Sequence, residues 1–356
     1  MEQAIFQFQT EGRPLHSSPF GHGHINYTFV VTTDKKKKYI LQRINTHVFK
    51  KPVELMENVI AVTEHIRKKV DDPKTALCFL PTKEGKFYYV DNRRRYWRCY
   101  ELVDGFCLEA PESDEDFYES AVAFGRFQQQ LSDFPAETLH ETIPNFHNTP
   151  DRYRQLKIAM DEDACDRVKF AQKELDFILE REEEAGSIQR LLEAGKLPLR
   201  VTHNDTKLNN VLLDLETRKA LCVLDLDTVM PGTSLFDFGD SIRFGAATAP
   251  EDTQELSQMS MDLHLFEVYT KGFLEACTTI TDEEIAVLPL GAKIITLELA
   301  VRFLTDYLES DHYFKTDYPD HNLVRARAQL KLVEDMEAKW YRMQRIVNKC
   351  VRGRKK

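Results

Sequence analysis

The 356 residues carry 48 Lys and Arg against 58 Asp and Glu, a formal charge of −10 at pH 7. That balance speaks against broad nucleic-acid binding, which needs a basic face, and no uncharged apolar run approaches the roughly 18 residues of a membrane span. With 42% hydrophobic and 30% charged residues, the composition is that of a folded chain rather than a disordered one. At about 150 residues per domain, two units or one large two-lobed unit are expected.

In chain order, residues 27–32 and 39–44 are β-branched and aromatic runs joined by a polar turn, which reads as a hairpin. Pro52 opens a helical stretch to about Lys69, with Val53, Met56, Ile60 and Thr63 or Ile66 at helical spacing. Residues 87–90 and 96–102 make a second strand pair around a turn at 91–95. After Val103, Asp104 and Gly105 the character changes. Residues 117–131, 151–195, 251–277, 282–308 and 323–351 read as long helices, with short strands only near 211–229. The seven cysteines are scattered, without a C-x-x-C pair, and the N-terminus MEQAIFQF lacks a signal pattern. A reducing, cytoplasmic setting is expected.

The stretch 201–214 contains His203-x-Asp205-x-x-x-x-Asn210 between apolar runs, the spacing of a kinase catalytic loop. An acid at the start of such a loop accepts a hydroxyl proton, and an amide five residues on turns back to hold Mg²⁺. A further metal carboxylate is needed downstream. Asp237-Phe238-Gly239 has the familiar letters but lies 32 residues past Asp205, whereas Asp225 lies 20 past it at the end of a short apolar strand. That strand can pair back on 211–213 as a hairpin and bring Asp225 beside Asn210, so the metal is assigned to Asn210 and Asp225. Asp227 shares the face of Asp225 by strand alternation and is a candidate for a second metal or a supporting contact. Asp237 and Asp240 are expected to fix the loop by hydrogen bonds or to cap a helix.

Residues 204–210, Leu-Asp-Leu-Asp-Thr-Val-Met-Pro-Gly at 224–232 and Asp-Phe-Gly-Asp-Ser-Ile-Arg-Phe-Gly at 237–245 resemble the aminoglycoside phosphotransferase/choline kinase family. Within it they look most like the N-acetylhexosamine 1-kinases, and the likeness runs from 23–28 to 299–307. It implies an α+β, protein-kinase-like two-lobed fold, with a small β-rich nucleotide-binding lobe over 1–103. A large helical lobe over 104–356 would carry the catalytic loop and sugar-binding helices. ATP and Mg²⁺ are the implied cofactors, Asp205 the implied base.

In that context Gly21 and Gly23 belong to a loop over the ATP phosphates, although Gly-x-Gly alone suits an ordinary hairpin turn. His24 is placed to reach a substrate hydroxyl. Where kinases carry a strand lysine, this chain offers Arg43 or Gln42, with Glu57 on the following helix as the natural partner and Glu54 next. Backbone groups around Glu101 and Val103 are expected to meet adenine. On the substrate side the candidates are Arg302, Tyr313 and Arg243 beside Asp205. Arg302 and Asp306 stand i,i+4, which also fits a plain surface salt bridge.

The reading that results is an ATP-dependent kinase phosphorylating the anomeric hydroxyl of an N-acetylhexosamine, GlcNAc or GalNAc, to the sugar 1-phosphate. The alternative is an aminoglycoside or choline-type small-molecule kinase, whose cationic substrate suits the negative charge. A pseudokinase is suggested by the missing strand lysine and opposed by Asp205, Asn210 and Asp225. Partners are limited to ATP and a small-molecule sugar, with no nucleic acid or membrane, and the chain is expected to be a monomer or weak dimer.

Overall fold

The computed structural model describes residues 3–21 and 25–354. The N-terminal part forms β1 (Pro14–Pro19), β2 (Tyr27–Thr33), β3 (Lys38–Arg43), helix α1 (Pro52–Arg67), β4 (Tyr89–Val90) and β5 (Tyr96–Glu101). The strands make one five-stranded sheet in the order β1-β2-β3-β5-β4, each paired antiparallel to its neighbour. Alternation along β2 and β3 buries Val31, Tyr39 and Leu41, which join Ile5, Phe8, Leu80, Trp97 and Cys99 in one core. The edge strand β1 carries Pro14, His16 and Pro19 and lacks an apolar alternation, so it leaves no strand signal in the sequence. On α1 the expected Met56, Thr63 and Ile66 are buried, joined by Leu55, Val59 and Val62, while Val53 and Ile60 are only half-buried. Leu55, Val59 and Val62 lie one position away from the expected set at the same helical spacing, so the buried stripe is wider than expected.

Helix α2 (Asp114–Gln130) follows, capped by the Ser113 side chain. The run expected to be helical over 151–195 is divided into α3 (Thr149–Glu162), α4 (Gln172–Leu179), α5 (Glu182–Ala185) and α6 (Ser187–Glu193). The first break occurs at Asp163, which is left-handed at φ 35° and accepts the backbone N–H groups of Arg167 and Val168. Strand β6 (Arg200–Thr202) leads into a loop, then β7 (Val211–Leu213) and β8 (Ala220–Val223) form a hairpin. The chain then runs through helices α7 (Ser234–Gly245), α8 (Leu263–Ala276), α9 (Asp282–Ala286), α10 (Leu288–Leu308), α11 (His321–Ala338) and α12 (Trp340–Arg354).

Helix α10 is buried nearly all round, as expected of a helix at the centre of a bundle. Its Leu297, Val301 and Leu304 pack with Tyr153 and Leu156 of α3 and Leu330 and Val333 of α11. Helix α7 approaches it so closely that a Cβ on Gly239 would lie 2.5 Å from the Gly291 carbonyl oxygen.

The chain divides into two compact units. One is built from Met1–Cys107, Asp133–Pro144 and Asn210–Pro231, the other from Leu108–Ser132, Asn145–Asn209 and Gly232–Lys356. The β7–β8 hairpin therefore belongs with the sheet, and the loop at 203–207 belongs with the helices.

Candidate active site

In the helical unit the loop after β6 is held by α7. Asp237, fully buried, accepts the backbone N–H of His203 at 3.0 Å and of Asn204 at 2.8 Å, and the Gln128 side-chain amide at 2.7 Å. Asp240 accepts the Thr206 N–H at 2.9 Å, and the Ser241 hydroxyl donates to the Thr206 carbonyl at 2.9 Å. These bonds stabilise a backbone that is left-handed at Asn204, φ 66°, and leave the half-buried Asp205 at its apex. His203 lies edge-on to Phe124 and Phe127, and its Nδ1 accepts the Asp205 N–H at 3.3 Å. Lys207 Nζ stands 2.9 Å from Asp205 Oδ1. Burial opposes the Lys207 charge, but the carboxylates of Asp205 and Asp240 outweigh it and hold the ammonium pKa above its ordinary value. Sequence reasoning missed Lys207. Its alternate-residue spacing from Asp205 was the available signal.

In the sheet unit the β7–β8 register pairs Val211 with Val223, and just beyond it the Leu224 N–H donates to the Asn210 carbonyl at 2.8 Å. Asn210 and Asp225 are thereby brought to one end of the hairpin. Asp225 is exposed and left-handed, φ 52° and ψ 61°, a conformation that costs an L-residue about 1–2 kcal/mol. An amide oxygen and a carboxylate are hard donors, the type Mg²⁺ takes. Among the described residues no group of three or more His, Cys, Asp or Glu is arranged to hold a metal. The donor set thus fits a cation bound by one or two protein oxygens and completed by phosphate and water oxygens, the usual Mg²⁺ arrangement at nucleotide sites.

The remaining nucleotide-side expectations fare unevenly. Gly21 is left-handed, φ 74°, with open space around it; Gly23 and His24 lie outside the described residues. Arg43 does not pair with Glu57. Its guanidinium stacks over the Tyr27 ring at 3.7 Å, and Glu57 meets His140 at 2.8 Å. Strand alternation explains the difference, because Gln42 and Arg43 take opposite faces. On the face of Gln42, the register sets Arg98 of β5 opposite it. Arg98 Nε donates to Gln42 Oε1 at 2.9 Å, and its Nη1 donates to Asp227 in a buried ion pair. The second Asp227 oxygen accepts Asn26 Nδ2 at 2.6 Å. Asn26 Oδ1 in turn accepts the Asn45 N–H at 3.0 Å. At the end of β5 the Glu101 N–H donates to Cys78 and the Leu102 N–H to Lys38, leaving Val103 as the next backbone donor of that segment.

On the substrate side, Arg302 of α10 lies 5.1–5.7 Å from the rings of Phe146, Tyr313 and Phe314, and its Nη2 is 3.5 Å from the Tyr313 hydroxyl. Asp306 is not its salt-bridge partner. It accepts the N–H groups of Tyr313 at 2.7 Å and Phe314 at 2.9 Å and the Asn322 amide at 2.8 Å, so it fixes the loop that presents Tyr313, 65% exposed. A second guanidinium, Arg152 of α3, stands near: burial first, then Arg302, lowers its pKa. One turn before Arg302, buried Glu298 meets His147 Nδ1 at 2.8 Å and accepts the Thr149 hydroxyl at 2.7 Å. Arg243 departs from its expected substrate role. It is buried, with Nη2 2.8 Å from Asp240 and Nη1 2.7 Å from Glu251. Two carboxylates hold its donors, which makes it a brace for α7.

A model of the phosphotransferase enzyme family matches residues 16–261. Among solved structures, a microcompartment-associated aminopropanol kinase superposes with a TM-score of 0.62 at 15% identity, covering 96% of this chain and 97% of that one. An aminoglycoside phosphotransferase from Alicyclobacillus acidocaldarius gives 0.62 at 14% identity over 97% and 95%. An amicoumacin kinase in complex with AMP-PNP and Ca²⁺ gives 0.60 at 13% over 94% and 91%. At these identities the likeness is one of fold: a protein-kinase-like five-stranded sheet followed by helices.

Proposed function

We infer that this chain, which belongs to the phosphotransferase enzyme family and is an ATP-dependent small-molecule kinase, acts on a neutral, hydroxyl-rich substrate, an N-acetylhexosamine phosphorylated at its anomeric oxygen. The observation that carries the substrate class is the Arg302 guanidinium, 3.5 Å from the hydroxyl of the exposed Tyr313 and flanked by aromatic rings. A guanidinium at that position disfavours a polycationic substrate, whereas its planar donors and a phenol suit ring hydroxyls. Asp205 accepts the proton of the attacking hydroxyl at its carboxylate, and an anomeric hydroxyl, the most acidic of a free sugar, suits a carboxylate base. Lys207, 2.9 Å from that carboxylate, orients it. Asn210 and Asp225 hold the divalent cation. ATP with Mg²⁺ supplies the transferable phosphoryl group and offsets its charge; the protein's share is positioning and electrostatics.

A panel of free hexosamines, aminoglycosides and amino alcohols with ATP and Mg²⁺, scored by ADP release, tests the reading. Turnover of a hexosamine, a 1-phosphate product by phosphorus NMR and no turnover of the methyl glycoside are expected. A 6-phosphate, or phosphorylation of the methyl glycoside, would overturn it. The second reading, an aminoglycoside or choline-type kinase, is favoured by the charge of −10 and by the substrates named for the similar folds. Turnover confined to the amines would establish it.

A further inference from the structure

We propose that the buried Arg98–Asp227 pair is a positioning device for Asp225, so that the protein meets its divalent cation with one carboxylate oriented in advance and the neighbouring one withheld. This rests on the kinase reading above.

Asp-x-Asp at 225 and 227 invites assignment of both acids to metal. The surroundings of Asp227 argue otherwise. Its residue is 2% exposed, one oxygen is taken by Arg98 and the other by Asn26 at 2.6 Å. Turning Oδ1 to a cation would leave the buried guanidinium without its counter-charge, a strongly unfavourable exchange, and turning Oδ2 would displace the Asn26 amide. Asp225, in contrast, is exposed and left-handed, and such a backbone persists only where its flanks over-determine it. One flank is the Leu224 N–H donated to Asn210 at 2.8 Å. The other is Asp227, two residues on. Its anchor reaches β5 through Arg98, β3 through Gln42 at 2.9 Å and the entrance of β2 through Asn26. The turn bearing Asp225 is thus fastened on both sides, which lowers the ordering cost of binding a cation. The ionic partner of Arg98 on the fifth strand is thus the turn itself.

The test is binding of a fluorescent ATP analogue to the full chain with and without Mg²⁺, the readout being the factor by which Mg²⁺ tightens binding. Arg98→Lys and Asp227→Asn should cut that factor on the order of 10–100-fold, as loss of a partner that orients a metal ligand does, while metal-free affinity stays near wild type. Asn26→Ala, at a half-buried position, should fold and show a smaller loss in the same direction. The paired apolar replacement R98M/D227L should regain the melting temperature lost by either single variant but not the Mg²⁺ effect. Recovery of both would reduce the pair to packing and overturn the proposal. So would full Mg²⁺ tightening in a folded Asn26→Ala together with Arg98→Lys. A fall from two bound Mn²⁺ to one in Asp227→Asn, by electron paramagnetic resonance titration, would make Asp227 a ligand instead. A wild-type chain that binds no nucleotide would refute the kinase reading itself, a distinct outcome.

Discussion

Asp225 and Asp237 lie in different units and are solved in opposite ways. Asp225 ends a two-stranded hairpin, exposed and left-handed. Asp237 sits in the first turn of α7, fully buried, with three N–H donors on its carboxylate. The letters Asp237-Phe238-Gly239, which look like a metal motif, serve architecture. Phe238 joins Phe266, Tyr269 and Phe273 in an aromatic cluster, and Gly239 lets α7 meet α10. Of the two, Asp225 is the solvent-exposed carboxylate, and Asp237 is wholly enclosed by its donors. Spacing from Asp205, not the letters, is the basis on which the metal role is proposed for Asp225.

The sharpest test exchanges their fates. Asp225→Asn should lower turnover by at least 10²–10³-fold, on the order of losing one transition-state charge contact, with folding intact. Asp237→Asn should keep turnover per folded molecule and lose about 3 kcal/mol in urea unfolding, because its amide opposes buried donors. The reverse pattern would break the comparison. Next, Gly239→Ala should cost about 1–3 kcal/mol by overpacking α7 against α10, read as a lower Tm with unchanged Mg²⁺-nucleotide affinity.

The smallest effect is on acid stability. In the sheet unit, burial would raise the Asp91 pKa, but the Arg95 backbone N–H, the Trp97 indole and the Arg95 guanidinium hold it at about 2, below the ordinary 3.8. Its contribution is full above 3.8 and lost as pH falls toward 2. Asp91→Asn should therefore flatten that part of the acid-unfolding curve followed by circular dichroism. Burial raises the Asp237 pKa, so its contribution tilts the other way, declining as pH rises past the ordinary carboxylate value.

Four strands of the antiparallel sheet, the helical remainder and the 211–223 hairpin were legible because short-range alternation and polar turns encode them, whereas the edge strand β1 has no such alternation. The helix breaks were less so: Asp163 ends α3 through a left-handed backbone that its neighbours do not announce. Arg98 was illegible for a different reason. Its meaning depends on standing opposite Gln42 across a ladder, a register between distant residues that leaves no local trace. Arg243 reads from sequence either as a phosphate or sugar contact or as an ion-pair partner of Asp237 or Asp240. The Asp240 pair is the one that forms, and the return of Glu251 onto the second Nη, which no sequence pattern announces, completes the enclosure.

The making of the sheet unit from three chain segments has a consequence for biosynthesis. Arg98 emerges from the ribosome 129 residues ahead of Asp227, an interval of roughly 6–26 s at about 5–20 residues per second. Through that interval the nascent N-terminal sheet holds a guanidinium it cannot yet bury against a carboxylate. The sheet unit therefore closes only after the hairpin has been translated, and the chain folds with its first unit waiting on its middle.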